Sequence, residues 1–260
     1  MNSPVPEKFA GTSASRSTQV LGAVAILGLA LVTFLGLVAT GEDQDQKNYY
    51  RIMYVHVPSA WLAYTCFGIC AFASAMYLYK KTQWWDLVAG ASAEIGVLFT
   101  GLALATGMLW GKVTWGAYWR WDARLTFTAL MFVMFLGYVT IRRMPAPFEV
   151  RAKRAAITGL IGVVNVPIVH FSVNWWRTLH QQATVLRPDT DVKIDGLMLF
   201  TLLLSFAVFH VLYVWLMIHR FRLGYLEDQV ESHGLERAIA ERHAEARGPV
   251  PVGAGQGSGQ

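Results

Sequence analysis

Apolar residues fall along this chain in six long runs, at about 19–39, 53–79, 87–109, 125–141, 155–173 and 196–218, divided by short polar stretches. Each run approaches or exceeds the roughly 20 residues that an α-helix needs to cross the hydrocarbon core of a bilayer. None shows the strict two-residue alternation of a half-buried strand. The pattern predicts an all-α, polytopic integral membrane protein with six transmembrane helices. The first run is too long for the apolar part of a typical secretory signal peptide, so it is read as a membrane helix. Residues 1–18 are polar and form a tail in this reading, and residues 19–220 make one transmembrane domain. Residues 221–260 form a second tail. It is charged at first, expected to be helical with an interruption at Gly234, and then low-complexity and disordered over PVPVGAGQGSGQ.

Composition strengthens that picture. The chain is 54% hydrophobic and only 15% charged, against about 25% charged in soluble proteins. A net charge of +5 would raise the question of nucleic acid in a soluble chain. Here the basic residues gather at the ends of apolar runs and report orientation instead. Lys and Arg are denser on the side holding both tails and the Arg142–Arg154 loop, which places both termini in the cytoplasm. The Gly41–Arg51 loop, the stretch after the third run and the stretch after the fifth then share the outer face. The two cysteines, Cys66 and Cys70, are spaced C-x₃-C inside an apolar run. That matches neither a redox pair nor a zinc site, and they are read as packing residues.

Candidate chemistry concentrates on that outer face. The loop WGKVTWGAYWRWDARLT, Trp110–Thr126, carries Trp110, Trp115, Trp119 and Trp121 together with Lys112, Arg120, Asp122 and Arg124. An interfacial belt needs one or two Trp per helix end. This density suits a platform for a large flat ligand with negative charge at one edge. His56 and His180 lie on the same face, either side of that loop. A neutral imidazole is a good ligand for heme iron, and two make a six-coordinate site. His170 and His210, inside the fifth and sixth runs, sit roughly 6 Å and 20 Å from the outer ends of their helices at 1.5 Å per residue, too unequal in depth to share one iron. Arg51, Arg124 and Arg177 are available for carboxylates.

These motifs resemble a known family. WGAYWRWDARLT is similar to the WWD signature of heme-handling membrane proteins. YVHVPSAW and NWWRTLHQ resemble the two histidine motifs that accompany it in the cytochrome c maturation protein C, or heme exporter protein C, family. The resemblance covers roughly residues 19–220, with three motifs in the family's order. Ala117, Tyr118 and Arg120 depart from its commonest residues, and Glu94 stands where some members have proline.

The resemblance implies that His56 and His180 are axial ligands of a transferable b-type heme held outside the membrane core. It implies that Trp115, Trp119, Trp121 and Asp122 form the platform and its polar anchor, and that Arg51 and Arg124 contact the propionates. It further implies delivery of heme to a periplasmic chaperone, cytochrome c maturation protein E, alongside ABC-type components A and B and small component D, in the bacterial inner membrane. The sequence has no G-x-x-x-x-G-K-[ST] and no C-x-x-C-H. Any ATP dependence is therefore expected from partners, with no covalent heme on this chain and a transfer component in place of an enzyme. The rival reading is a membrane b-type cytochrome that retains its heme for electron transfer.

Overall fold

The computed structural model describes residues 15–180, 194 and 196–246. The tail before Ser15, the remainder of the loop after His180 and the glycine-rich end lie outside the described residues. Six helical segments are long and apolar enough to cross a membrane, and no strand occurs among the described residues.

Helix α1 (Arg16–Phe34) starts three residues before the expected run because Ser15 caps it, its Oγ accepting from Thr18 N–H at 3.3 Å. It ends in a π turn, Leu35–Ala39. A 3₁₀ turn, Asn48–Ile52, leads into α2 (Met53–Lys80). His56 therefore lies in the first turn of α2 and Pro58 in the second. Lys81, at a φ of 55°, closes α2, and α3 (Gln83–Trp115) follows at once.

Helix α3 runs past the apolar residues to Trp115 and stops at Gly116, whose φ of 75° is the left-handed conformation that glycine adopts without strain. The stretch expected to be one Trp-rich loop is thus half helix and half turn. Helix α4 spans Ala123–Arg143. The expected basic loop is also mostly helix: Arg151, Lys153 and Arg154 sit in the first two turns of α5 (Phe148–Val163). The fifth span breaks at Val164 and resumes as α6 (Asn165–Trp175). Pro167 has no N–H to continue the ladder there, and Asn165 Nδ2 bonds the Phe127 carbonyl of α4 at 2.7 Å.

Helix α7 (Gly196–Ala246) continues through Gly234 without the expected interruption. Leu223 onward separates from the first 222 residues as its own compact unit, two residues beyond the expected boundary.

The core of the first unit lies between α2 and α3. Their facing residues are small, including Ala63, Ala73, Ala89 and Ala93, all nearly inaccessible. Small residues let membrane helices approach closely. Phe67 stacks on Phe135 of α4 with centroids 3.6 Å apart. A polar thread crosses this core: Ser92 Oγ donates to the Cys66 carbonyl at 2.8 Å and lies 2.9 Å from Tyr213 Oη. Cys66 and Cys70 are free and fully buried.

Candidate heme site

Helix starts and stops position the candidate side chains. His56 opens α2, Trp115 closes α3, and Asp122 caps α4 while Arg124 sits in its first turn. His180 follows the end of α6. These ends enclose a cavity of about 90 Å³ whose wall includes His56, Tyr64, Thr100, Trp119, Arg124 and His180. Two histidines from opposite halves of the chain thus line one space between α2, α3 and α4.

His56 is held by the backbone of α3. Its Nδ1 lies 2.9 Å from the Ala103 carbonyl and 3.2 Å from Thr106 Oγ1. A carbonyl only accepts, so Nδ1 carries the proton. The Thr106 hydroxyl donates to the Leu102 carbonyl at 2.7 Å, which leaves its lone pair toward the ring. Among the described residues nothing engages the Nε2 lone pair, as a metal ligand requires. Gly107 makes room for the ring, since a Cβ there would come within 2.8 Å of His56 Cε1. Trp110 packs edge-on at 5.8 Å, its own N–H donated to Gln46 Oε1 at 2.7 Å.

His180 is held by one carboxylate. Asp122 Oδ1 accepts from Leu125 N–H at 2.9 Å and so caps α4. Its Oδ2 accepts from Leu179 N–H at 3.0 Å and lies 3.4 Å from His180 Nδ1. Trp115 meets the ring edge-on at 4.8 Å. Burial alone would push the Asp122 carboxyl up, but the His180 ring and the Leu125 and Leu179 N–H groups hold it below the ordinary carboxylate value. Facing a carboxylate, a neutral His180 also carries its proton on Nδ1. Both imidazoles are therefore set as the same tautomer.

The other candidate residues divide. Trp119 lines the cavity with its Nε1 buried and unpaired among the described residues. Arg124 donates from Nη2 to the His170 carbonyl at 3.0 Å, while its Nε is buried without a partner among the described residues. Trp121 turns away, 83% exposed, and touches Trp119 edge-on at 5.4 Å. Arg51 is not brought to the cavity. Its Nη1 bonds the Leu37 carbonyl and its Nη2 the Thr40 carbonyl at 3.0 Å, satisfying acceptors left open where α1 ends. Arg177 is exposed in the segment before His180.

Of the remaining histidines, His170 packs between Trp61 and Tyr64. His210 bonds the Phe206 carbonyl at 2.7 Å. Sequence reasoning missed Ala103, Thr106 and Gly107, which hold His56. The one available signal was their spacing, which puts Ala103, Thr106 and Gly107 on one helical face.

Comparison with known proteins places the chain in a family. The sequence profile of the heme exporter protein C family matches residues 2–236. A heme exporter protein C from Bradyrhizobium diazoefficiens is 38% identical over 227 residues, covering 87% of this chain and 85% of the relative. One from Haemophilus influenzae is 38% identical over 206 residues, covering 79% and 82%. A ccmC-like mitochondrial protein named for cytochrome c biosynthesis, from Marchantia polymorpha, is 39% identical over 183 residues, covering 70% and 77%. Profile and relatives extend over nearly all of the six-span region, and the chain belongs to the heme exporter protein C family.

Proposed function

We propose that this protein handles heme for c-type cytochrome biogenesis, binding a b-type heme as transferable cargo between His56 and His180. The observation that carries this reading is one cavity lined by both imidazoles, each with Nδ1 facing an acceptor, Ala103 O or Asp122 Oδ2, and with no partner to Nε2 among the described residues. Two neutral nitrogens of this kind supply the axial positions of a six-coordinate iron. Trp119 and Arg124 add buried N–H donors that lack acceptors among the described residues, and a propionate oxygen is an acceptor that would satisfy them. Trp115, against the His180 ring, adds to the aromatic wall, with Asp122 as its polar anchor, while Trp121 supports Trp119 from outside.

Pockets for drug-sized ligands run to about 300–1,000 Å³, well above the 90 Å³ present. Binding a porphyrin therefore requires the Gly116–Asp122 turn and the His180 segment to part from α2 and α3. Both are non-helical, and a substantial minority of complexes show loop rearrangements of more than about 2 Å on binding.

The site faces the periplasm in this reading, with both termini in the cytoplasm of a bacterial inner-membrane protein. The cargo is passed to the heme chaperone, cytochrome c maturation protein E, and ATP-binding components A and B with small component D complete the assembly. An absorption spectrum of the purified chain beside a His56→Ala, His180→Ala double variant tests the site. A low-spin bis-histidine spectrum in the parent and at least a tenfold loss of bound heme in the variant are expected; equal heme in both would refute it. Heme that then moves to added apo-chaperone distinguishes handling from electron transfer.

A further inference from the structure

The two imidazoles are set alike but supported differently. The proton acceptor behind His56 is a neutral carbonyl, helped by a hydroxyl. Behind His180 stands a carboxylate whose side chain is 8% exposed. An N–H donated to a carboxylate leaves more electron density on the opposite nitrogen than one donated to a carbonyl, which raises ligand basicity. The same carboxylate fixes the backbone at Leu179 and the start of α4, so it sets the position of the ring as well as its electronics.

We infer that Asp122 is a positioning residue that acts through His180, making His180 the stronger axial ligand and His56 the one given up when the cargo leaves. This rests on the heme reading above. In the release step the bond between iron and His56 Nε2 breaks with its electron pair returning to nitrogen. The iron's oxidation state and the protonation of both rings are unchanged. A five-coordinate iron remains on His180, with one position open to an incoming ligand. Asp122 also caps α4, and a cap alone would explain its bond to Leu125. It would not explain why Oδ2 faces Leu179 and His180.

Carbon monoxide, which displaces one axial ligand from ferrous heme, reads out which histidine stays. The Fe–CO stretch of the full-length chain in detergent is compared with those of His56→Gln and His180→Gln. The parent adduct is expected to coincide with that of His56→Gln, in which only His180 remains. Coincidence with His180→Gln overturns the inference. Asp122→Asn is expected to shift the parent and His56→Gln adducts and to leave the His180→Gln adduct where it was. An equal shift in all three, or none, shows that Asp122 does not act through His180.

A heme-independent measurement separates this from the heme reading. In heme-free, ¹⁵N-histidine-labelled protein, the His180 signal, assigned by its loss in His180→Gln, should report the Nδ1–H tautomer in the parent. A parent ring protonated on Nε2 overturns the positioning role whether or not heme binds. If Asp122→Asn does not fold, the comparison of the two glutamine variants and the labelled spectrum still decide.

Discussion

Two clusters of charged and polar side chains lie near opposite ends of α2 and α3, and they are finished differently. Near the Lys80–Gln83 turn, Arg142 makes a two-pronged contact with Asp86 at 2.5 and 2.8 Å, the carboxylate being almost fully buried. About two turns further along α3, Glu94 takes both prongs of Arg220, one at 2.8 Å, with Arg143 at 3.7 Å. Gly90 lies against Arg142, where a Cβ would meet the guanidinium at 2.6 Å. At the His56 end, by contrast, Arg124 and Trp119 keep buried donors with no acceptor among the described residues. An unmet buried donor costs roughly 1–3 kcal/mol, and most native structures avoid it. Charges that complete one another brace the helices. Ser74 Oγ and Tyr138 Oη, near the Asp86–Arg142 pair, are also buried without a partner among the described residues, so what sets Arg124 and Trp119 apart is that both line the cavity.

Breaking the braced end should have the largest effect. Removing one partner of a buried ion pair costs about 3–5 kcal/mol, because the other charge is stranded. Asp86→Ala is therefore expected to lower the thermal unfolding midpoint in detergent sharply. The heme spectrum of the molecules that remain folded should be unchanged. A variant with parent stability but altered heme would reverse the assignment of the two ends.

Arg124→Ala should do the opposite. A charge-assisted contact is worth about 1.5–3 kcal/mol, or one to two decades of affinity. Heme titration should show that loss with little change in unfolding midpoint. The His170 carbonyl loses one donor, so a fall in stability matching that of Asp86→Ala would show that Arg124 is a brace too.

Gly107→Ala comes next. Its Cβ would crowd the His56 ring, and overpacking of this kind costs roughly 1–3 kcal/mol. Weaker heme binding with reduced low-spin character is expected. Affinity equal to the parent would mean that the ring moves aside without consequence for ligation.

The smallest effect is on pH dependence. The Asp122 carboxyl sits below its ordinary value in the folded chain. Its contribution to stability is complete above the unfolded value of about 3.9 and is lost as pH falls through the lower folded value. Tryptophan fluorescence from Trp115 and Trp119 should report loosening in that acid window. Asp122→Asn should lack that component, and an identical acid transition in both would remove Asp122 from the account.

Much of this was legible in the residues, and the exceptions have physical causes. Six apolar runs gave the six spans because a bilayer fixes the length an apolar helix needs. That same rule says nothing of where helices end in water or headgroups. This is why α3 reaches Trp115, α5 begins at Phe148 and α7 runs to Ala246 beyond the expected limits. The grouping of His56, Trp119, Arg124 and His180 followed from a shared face. The diversion of Arg51 did not, because open carbonyls at a helix end leave no trace in side-chain identity. Glu94, which the motifs leave without a role, pairs with Arg220.

The support of His56 by the Ala103 carbonyl has a consequence for how such proteins are studied. That acceptor belongs to the main chain, so no side-chain replacement at position 103 removes it. A scan of α3 by substitution would pass over the strongest contact of one candidate ligand and register only its neighbours, the hydroxyl of Thr106 and the missing methyl of Gly107. Replacing the amide that follows Ala103 with an ester, which weakens the carbonyl as an acceptor without altering any side chain, is the chemical edit that would make it visible.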